Sequence, residues 1–178
     1  MTETLYAAYT PGEKDYAAIV SRMKQAGVEV IYVGGYHTET GLIARQAKEQ
    51  GMNITMVGGD ALATNEFWQV AGPAGENTMM TFPSDPRKRP TAAAAVAAFK
   101  AKGIDPEGYT LYTYAAIQVW VDGAKKANST DAKKVSEALR GGGTWNTVLG
   151  PINFDKKGDV TVSDYVFYVW KAGKYAEM

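Results

Sequence analysis

The chain has 178 residues, of which 46% are hydrophobic and 21% are charged, and it contains no cysteine. A chain of this length forms one or two globular domains and can fold without disulfides or a structural metal. The 19 basic and 19 acidic residues balance, so no net charge attracts nucleic acid or an anionic membrane, and neither is an expected partner.

Apolar runs in the sequence are too short to cross a membrane, since a spanning helix needs about 20 such residues. The opening stretch, MTETLYAAYT, has neither the basic flank nor the apolar run of a signal peptide. We therefore expect no membrane insertion and no signal peptide in this chain. The lack of cysteine suits the cytosol and the periplasm equally well.

Residues 1–82 alternate β-rich runs with runs of helical period, which predicts an α/β fold with an open, parallel, doubly wound sheet of the flavodoxin type. The first strand is expected over Leu5–Tyr9. A capping box at Thr10–Glu13, with proline at the first helical position, predicts that a helix begins there and ends at Gly27. The apolar stripe of this helix consists of Tyr16, Ile19, Val20 and Met23.

The elements expected next are a strand over Val28–Val33, a helix through Leu42, Ile43 and Ala47 that ends at Gly51, a strand over Asn53–Val57, a short helix through Phe67 and Trp68, and a strand over Thr78–Phe82. They continue the alternation of strand and helix, so they belong to the same sheet.

A short repeat marks the ends of two of these strands. The sequence VGGY ends at Tyr36, and VGGD ends at Asp60 one βα unit later. Parallel strands end at the same edge of a sheet, where such folds bind ligands, so Tyr36 and Asp60 are candidate neighbours. Gly35 and Gly59 would let a ligand approach the backbone. Asp60 is either a counter-ion for an ammonium group or a cap for a helix from Ala63 onward, and Tyr36 either contacts a ligand or packs as a surface aromatic.

The composition changes at residues 83–90, PSDPRKRP, where three prolines disfavour a helix or a central strand. We interpret this stretch as a crossover between two bodies, with its basic side chains solvated. Three helices are expected after it, over Thr91–Lys102, Tyr109–Lys126 and Asp131–Arg140. The middle helix is apolar on most faces and should be largely buried. A polar turn at residues 155–159 and a last strand over Tyr165–Trp170 would return the chain to the first body.

Two further candidates concern chemistry. Tyr109 begins the middle helix and is the aromatic there that is best placed to reach a cleft. An enzyme using His37, Glu39 and Asp60 is an alternative, but His37 is the only histidine, and neither a serine elbow nor a cysteine accompanies it. Neither glycine pair completes a nucleotide-binding motif. We expect no enzyme activity, metal or cofactor.

Several segments resemble the periplasmic leucine/isoleucine/valine-binding proteins, which are amino-acid receptors of ABC transporters with the type I solute-binding fold. They are GEKDYAAIVSRMKQAGVEVIYVGGYHTETGLIARQAKEQG, VGGD, YTYAAIQVW, VLGPINFDKKGD and YVFYVW. The resemblance implies two lobes that close by a hinge on a free amino acid, delivery to a membrane permease, and a periplasmic location for the parent protein.

This resemblance covers nearly the whole chain, but only the C-terminal half of such a receptor, and so implies an incomplete type I fold. Residues 1–82 would belong to the second lobe, residues 83–148 to a helical part of the first, and residues 149–178 to the returning hinge segment and final strands. The missing half supplies groups for the α-carboxylate, so the isolated chain should bind an amino acid weakly.

The resemblance also implies roles for single residues. Asp60 falls where the family has an acidic residue for the α-ammonium group, and Tyr36 matches the tyrosine of the family's GGY motif that lines the site. Tyr109 matches an aromatic wall of the side-chain pocket. Leucine receptors often have glutamate where this chain has Asp60, so the resemblance leaves the identity of the amino acid open.

One strand of the family's second lobe would lie between Leu5–Tyr9 and Val28–Val33, and it is missing here. Either these two strands pair directly, or a second copy of the chain fills the gap and gives a homo-oligomer or a swapped dimer. A self-associating scaffold without ligand is therefore a second hypothesis for the function.

Overall fold

The computed structural model describes residues 3–162 and 164–178. Its helices are α1 (Ala17–Gln25), α2 (His37–Glu49), α3 (Asn65–Ala71), α4 (Ala93–Ala101), α5 (Thr110–Ala127) and α6 (Ala132–Arg140). Its strands are β1 (Val30–Val33), β2 (Thr55–Gly58), β3 (Met79–Pro83), β4 (Trp145–Thr147), β5 (Gly150–Ile152), β6 (Tyr165–Lys171) and β7 (Lys174–Glu177). Among the described residues, no helix is both long and apolar enough to span a membrane.

The chain divides into two compact units. Unit 1 comprises Met1–Phe82 and Tyr165–Met178, and unit 2 comprises Pro83–Asp164. The chain therefore leaves unit 1 after Phe82 and returns to it after Asp164.

Unit 1 contains a five-stranded sheet in the order β1-β2-β3-β6-β7. Strands β1, β2 and β3 are parallel, and β6 and β7 form an antiparallel pair. Ile31 and Val33 of β1 are buried, whereas Val30 and Tyr32 are exposed, so one face of this strand packs on the core and the other faces solvent. The mostly parallel sheet with its helices confirms the predicted α/β class.

The predicted start of the first helix is wrong. Gly12 has a φ of 85°, which is incompatible with a helix, and its N–H donates to Glu39 Oε1 at 3.0 Å. The helix begins instead at Ala17, whose N–H is accepted by Asp15 Oδ1 at 2.8 Å. The end before Gly27 is confirmed, because that glycine has a φ of 67° and reverses the chain.

The predicted strand over Leu5–Tyr9 is also wrong. These residues are not part of a strand, although their side chains alternate between half-buried and exposed. Strand β1 is at the end of the sheet and pairs with β2, so it does not pair directly with Leu5–Tyr9. Residues of high β propensity form a strand only where a partner supplies the ladder hydrogen bonds.

The other elements of unit 1 form at the predicted places, with one addition. Ala172 and Gly173 both have positive φ, of 48° and 81°, and turn the chain back on itself. Strand β7 follows, so Tyr165–Trp170 is not the last strand. Trp170 is fully buried.

Unit 2 is mainly helical, as predicted, but α5 is less buried than expected. Leu111 and Ala115 lie in a core cluster with Ala92 and Val148. By contrast, Ile117 is 60% exposed. Helix α5 packs chiefly against α6 and β4, which cover one stripe of its apolar surface and leave another open.

The interpretation of residues 83–90 as a stretch of solvated charges is wrong for both arginines. Arg87 forms ion pairs with Asp85 at 2.9 Å and with Asp105 at 3.0 Å. Arg89 donates to the carbonyl of Leu149 at 2.7 Å and pairs with Asp164. Prolines instead begin two 3-10 turns, over Pro86–Lys88 and Pro90–Ala92.

The predicted polar turn at residues 155–159 is confirmed. Oδ1 of Asp155 accepts the backbone N–H groups of Lys157, Gly158 and Asp159 at 2.8–2.9 Å. This carboxylate is therefore used to hold a turn.

Candidate functional site

Strands β1 and β2 end at the same edge of the unit 1 sheet. Their register pairs Val33 with Gly58, and neighbouring strands lie about 4.8 Å apart. Tyr36 and Asp60 follow within the next few residues of each strand. The fold thus brings the backbones of both candidates to one sheet edge, as the repeat predicts.

The backbone of Tyr36 is fixed while its ring remains accessible. Tyr36 caps α2 in an extended conformation, and its carbonyl accepts the N–H of Thr40 at 3.1 Å and the hydroxyl of Thr40 at 2.8 Å. The side chain is 69% exposed. An exposed ring on a rigid helix start can contact a ligand without reorganising the fold.

Asp60 begins a 3-10 turn, Asp60–Leu62, and is half-buried. The alternative role as a helix cap is wrong, because Thr64 caps α3 and its hydroxyl accepts the N–H of Glu66 at 3.4 Å. The N-cap of the helix that follows is thus Thr64, and Asp60 lies in the turn at the sheet edge.

The two glycine pairs differ in what surrounds them. A Cβ on Gly35 would lie 1.5 Å from the Tyr9 hydroxyl, and one on Gly58 would lie 2.5 Å from Cδ1 of Leu62. A Cβ on Gly59 would meet nothing within 4 Å. The space beside Gly35 is thus occupied by the protein's own tyrosine, whereas the space beside Gly59 is open to an incoming molecule.

Tyr9 supports this turn in a way that the sequence analysis missed. Its ring packs edge-on against Tyr16 with 5.7 Å between the ring centres. Burial raises the pKa of Tyr9, and the charge of Glu39 adds to that effect, while a hydrogen bond from the backbone of Tyr36 acts in the opposite direction. The contact between Tyr9 and Gly35 joins residues that are far apart in the sequence, so no local pattern indicates it.

We predict that Gly35→Ala lowers the free energy of unfolding of unit 1 by about 1–2 kcal/mol, because the new methyl group displaces the Tyr9 hydroxyl from its contacts. Gly59→Ala is the matched control and should change stability by less than about 0.5 kcal/mol. Urea denaturation of the two variants compares them. Equal stability of both variants would contradict the packing at Gly35.

The residues of the enzyme hypothesis have other contacts. His37 begins α2, and its Nε2 lies 2.9 Å from Oε2 of Glu66 in α3. Glu39 is buried and accepts the N–H of Gly12 at 3.0 Å. The described residues contain no cluster of three or more histidine or carboxylate side chains that could hold a metal ion. His37 and Glu39 therefore have structural contacts within unit 1.

Tyr109 lies in unit 2, at the start of α5. It is 48% exposed and lines an open groove of about 880 Å³ that runs along α5 and includes Tyr114 and Ile117. It is therefore accessible on the surface of its own unit.

A sheet edge bearing an aromatic and a carboxylate, in a chain that passes twice between two units, is typical of a two-lobed binding protein. The model of the family described as "Periplasmic binding protein" matches residues 3–174. The chain belongs to this family.

Relatives of known name confirm the resemblance to leucine/isoleucine/valine-binding proteins. The chain is 46% identical over 171 residues to Leu/Ile/Val-binding protein homolog 1 of Brucella suis biovar 1, an alignment that covers 96% of this chain and 46% of that protein. It is 42% identical over 175 residues to the Leu/Ile/Val-binding protein BraC3 of Rhizobium johnstonii, covering 98% of this chain and 48% of that protein.

Solved structures of proteins with the same kind of name also match the chain. The leucine-binding protein LivK of Thermotoga maritima matches with a TM-score of 0.83 and 29% identity, over 96% of this chain and 49% of that one. The substrate-binding protein LivJ of Streptococcus pneumoniae, in complex with isoleucine, matches with a TM-score of 0.78 and 25% identity, over 94% of this chain and 48% of that one. The chain thus spans about half the length of these relatives and has an incomplete form of their fold.

Proposed function

We propose that the chain carries part of the binding site of an extracytoplasmic receptor that delivers branched-chain amino acids to an ABC importer. In this proposal Asp60 pairs with the α-ammonium group of the ligand, and Tyr36 forms a wall of the site beside the open backbone at Gly59. The observation that carries the proposal is the register of β1 and β2, which brings both residues to one sheet edge.

The chemistry of this edge suits an ammonium ligand. A carboxylate that accepts a hydrogen bond from an ammonium group contributes roughly 1.5–3 kcal/mol. An aromatic face adds a cation-π contact of about 0.5–1 kcal/mol at an exposed site. Together these two contributions favour a ligand that carries an ammonium group over a purely anionic ligand.

We assign Tyr109 to the wall for the ligand's apolar side chain. It would belong to the first lobe of the receptor, with Tyr36 and Asp60 in the second. The support is its accessible position at the start of α5 and its match to the aromatic residue of the family. Residues 83–148 would then be a helical part of the first lobe, and residues 149–178 the returning hinge segment and final strands.

The isolated chain, which carries only half of the proposed site, should bind an amino acid weakly. An amino acid loses several kcal/mol of translational and rotational freedom on binding, and one ion pair with two aromatic contacts does little more than offset that cost. We expect a dissociation constant in the millimolar range at best for the isolated chain. Micromolar leucine binding by a verified monomer would contradict the assignment of only half the site to this chain.

A chimeric receptor tests the proposal directly. Residues 3–174 replace the matching part of the Brucella suis relative, and binding of leucine, isoleucine and valine is measured by calorimetry. Asp60→Asn should weaken binding about 100-fold, since it removes the charge that pairs with the ammonium group. Glu49→Gln, on the exposed side of α2, is the control and should leave affinity unchanged. Equal affinity of the two variants would overturn the role of Asp60.

We also propose that copies of the isolated chain associate, as a homo-oligomer or a swapped dimer. The observation that favours association is the position of β1 at the end of the sheet, where an edge strand is open to pairing. Delivery to a permease and a periplasmic location would be properties of the parent protein.

A further inference from the structure

The start of α2 is tied to a stretch of chain that lies far from it in the sequence. Tyr36 is the N-cap of this helix, and Glu39 is the third residue after it. In a capping box, a glutamate at that position accepts the N–H of the N-cap residue. Here Oε1 of Glu39 accepts the N–H of Gly12 at 3.0 Å instead. Glu39 therefore links the first turn of α2 to residues 9–12.

The hydroxyl of Tyr9 binds the N-cap residue itself. Its oxygen accepts a hydrogen bond from the backbone N–H of Tyr36. It also lies so close to the turn that a Cβ on Gly35 would overlap with it. Only a glycine before Tyr36 leaves room for the hydroxyl at this place. The hydroxyl of Tyr9 and the missing side chain of Gly35 thus form one matched contact.

Residues 9–12 are themselves fixed in unit 1. The ring of Tyr9 packs edge-on against Tyr16, with 5.7 Å between the ring centres. Tyr16 is buried, and its hydroxyl donates to the carbonyl of Thr10 at 3.0 Å. The N–H of Gly12 is held by Glu39. A hydroxyl whose own segment is fixed in this way can hold the group that it binds in one position.

Both backbone groups of Tyr36 are bound as a result. Its carbonyl accepts the N–H of Thr40 at 3.1 Å and the hydroxyl of Thr40 at 2.8 Å, and its N–H is bound by Tyr9. The side chain of Tyr36, by contrast, is exposed. A backbone that is held at both groups fixes the direction in which the side chain leaves it, so the ring needs little reorganisation when a ligand arrives.

We propose that Tyr9 is a positioning residue for the ligand site, because its hydroxyl holds the N–H of Tyr36 and so keeps the Tyr36 ring at the sheet edge. Glu39 acts in the same direction, since it ties Gly12 to the start of α2. Neither residue has to touch the ligand. The inference rests on the proposed function, in which Tyr36 is a wall of the site.

Amide hydrogen exchange of the chain, followed by NMR, tests the contact without any ligand. Tyr9→Phe keeps the ring that packs on Tyr16 and removes only the hydroxyl. The amide of Tyr36 should then exchange about fivefold faster or more, whereas the amide of Thr40, which is bound within the turn, should not change. Tyr6→Phe, in a side chain that is 84% exposed, is the control and should change neither amide. An unchanged Tyr36 amide in Tyr9→Phe would overturn the inference.

The chimeric receptor described above tests the effect on binding, with leucine affinity measured by calorimetry. Tyr9→Phe should weaken binding about three- to tenfold, and Tyr6→Phe should not. In a receptor that already carries Tyr36→Ala, Tyr9→Phe should have no further effect, because the ring that Tyr9 positions is gone. A Tyr9 that only stabilised the fold would have the same effect in both backgrounds, and that result would contradict the positioning role.

Variants of Glu39 give a second measurement that leaves Tyr9 intact. Glu39→Gln keeps an oxygen that can accept the N–H of Gly12, whereas Glu39→Ala removes it. The glutamine variant should therefore keep most of the leucine affinity of the chimera, and the alanine variant should lose about as much as Tyr9→Phe. Equal affinities of the two Glu39 variants would show that the link to Gly12 does not position the site.

The outcomes separate the inference from the proposed function. If Tyr36→Ala leaves leucine affinity unchanged, Tyr36 is not a wall of the site, and the proposed function loses this residue together with the positioning role. If Tyr36→Ala weakens binding while Tyr9→Phe and Glu39→Ala do not, the proposed function stands and the positioning role alone is overturned. A loss in Tyr9→Phe that disappears in the Tyr36→Ala background supports both.

Discussion

Trp170→Ala is expected to lower the free energy of unfolding of unit 1 by about 3–5 kcal/mol. The Trp170 ring is fully buried and packs at 5.0 Å from the ring of Tyr175, 5.5 Å from Phe67 and 5.9 Å from Trp68. Its Nε1 donates to the carbonyl of Leu62 at 3.2 Å. Alanine would leave a large cavity and an unpaired buried carbonyl at once.

The control for this change lies on the same strand. Tyr165 is 59% exposed, so Tyr165→Ala should cost less than about 1 kcal/mol. Trp170→Phe should fall between the two, since it keeps most of the packing and loses the hydrogen bond. Denaturant unfolding followed by far-ultraviolet circular dichroism gives all three values. A cost below about 1 kcal/mol for Trp170→Ala would mean that Trp170 does not anchor the core.

Arg87→Met is expected to lower the free energy of unfolding of unit 2 by about 2–3 kcal/mol at neutral pH. The guanidinium group holds Asp85 by its Nε at 2.9 Å and by its Nη2 at 2.9 Å, and it reaches Asp105 at 3.0 Å. The Asp85 side chain is only 18% exposed. Methionine would leave that carboxylate partly buried without its counter-ion.

The cost of Arg87→Met should depend on pH. Burial alone would raise the pKa of Asp85, but hydrogen bonds from the side chain and backbone of Arg87, together with its charge, lower it below the usual value. A lowered folded-state pKa stabilises the fold above the usual carboxyl range, and this contribution is lost as the pH falls through the lowered value. The difference between wild type and variant should therefore be largest at neutral pH and shrink below pH ~4.

Arg45→Met is the control, because the Arg45 side chain is 50% exposed and its pair with Glu49, at 3.7 Å, is a surface contact. It should cost less than about 0.5 kcal/mol and show no matching pH dependence. Urea denaturation at several pH values measures both variants. A cost of Arg87→Met that does not change with pH would contradict the role of the Asp85 carboxylate.

The candidate site shows how far local sequence patterns reach. The VGGY and VGGD repeat places Tyr36 and Asp60 after parallel strands, and in such a sheet these positions share an edge whatever the rest of the chain does. The role of Tyr9 beside Gly35 could not be predicted, because it depends on how a distant segment packs against the turn. The same holds for Glu39, whose partner is the backbone of Gly12.

Wrong predictions arose where a residue's neighbours matter more than its type. Leu5–Tyr9 has the composition of a strand but pairs with no strand of the sheet. Thr10–Glu13 has the residues of a capping box, yet Gly12 adopts a left-handed conformation. The sequence predicts that the basic side chains of residues 83–90 are solvated. In the structure, however, Arg87 pairs with Asp105, and Arg89 binds Asp164 and the carbonyl of Leu149, all of which are distant in the sequence.

The amino-acid sequence by itself determined the α/β class, most of the strands and helices, and the family. Hydrophobic periodicity, glycine breaks and the order of motifs are all formed by residues that are close together in the sequence. Only the tertiary structure decided that Tyr9 occupies the space beside Gly35, that Arg87 and Arg89 are paired, and that the strand order of the sheet is β1-β2-β3-β6-β7. These depend on groups that meet in space, since backbone hydrogen bonds and close packing are satisfied across the whole unit rather than along the chain.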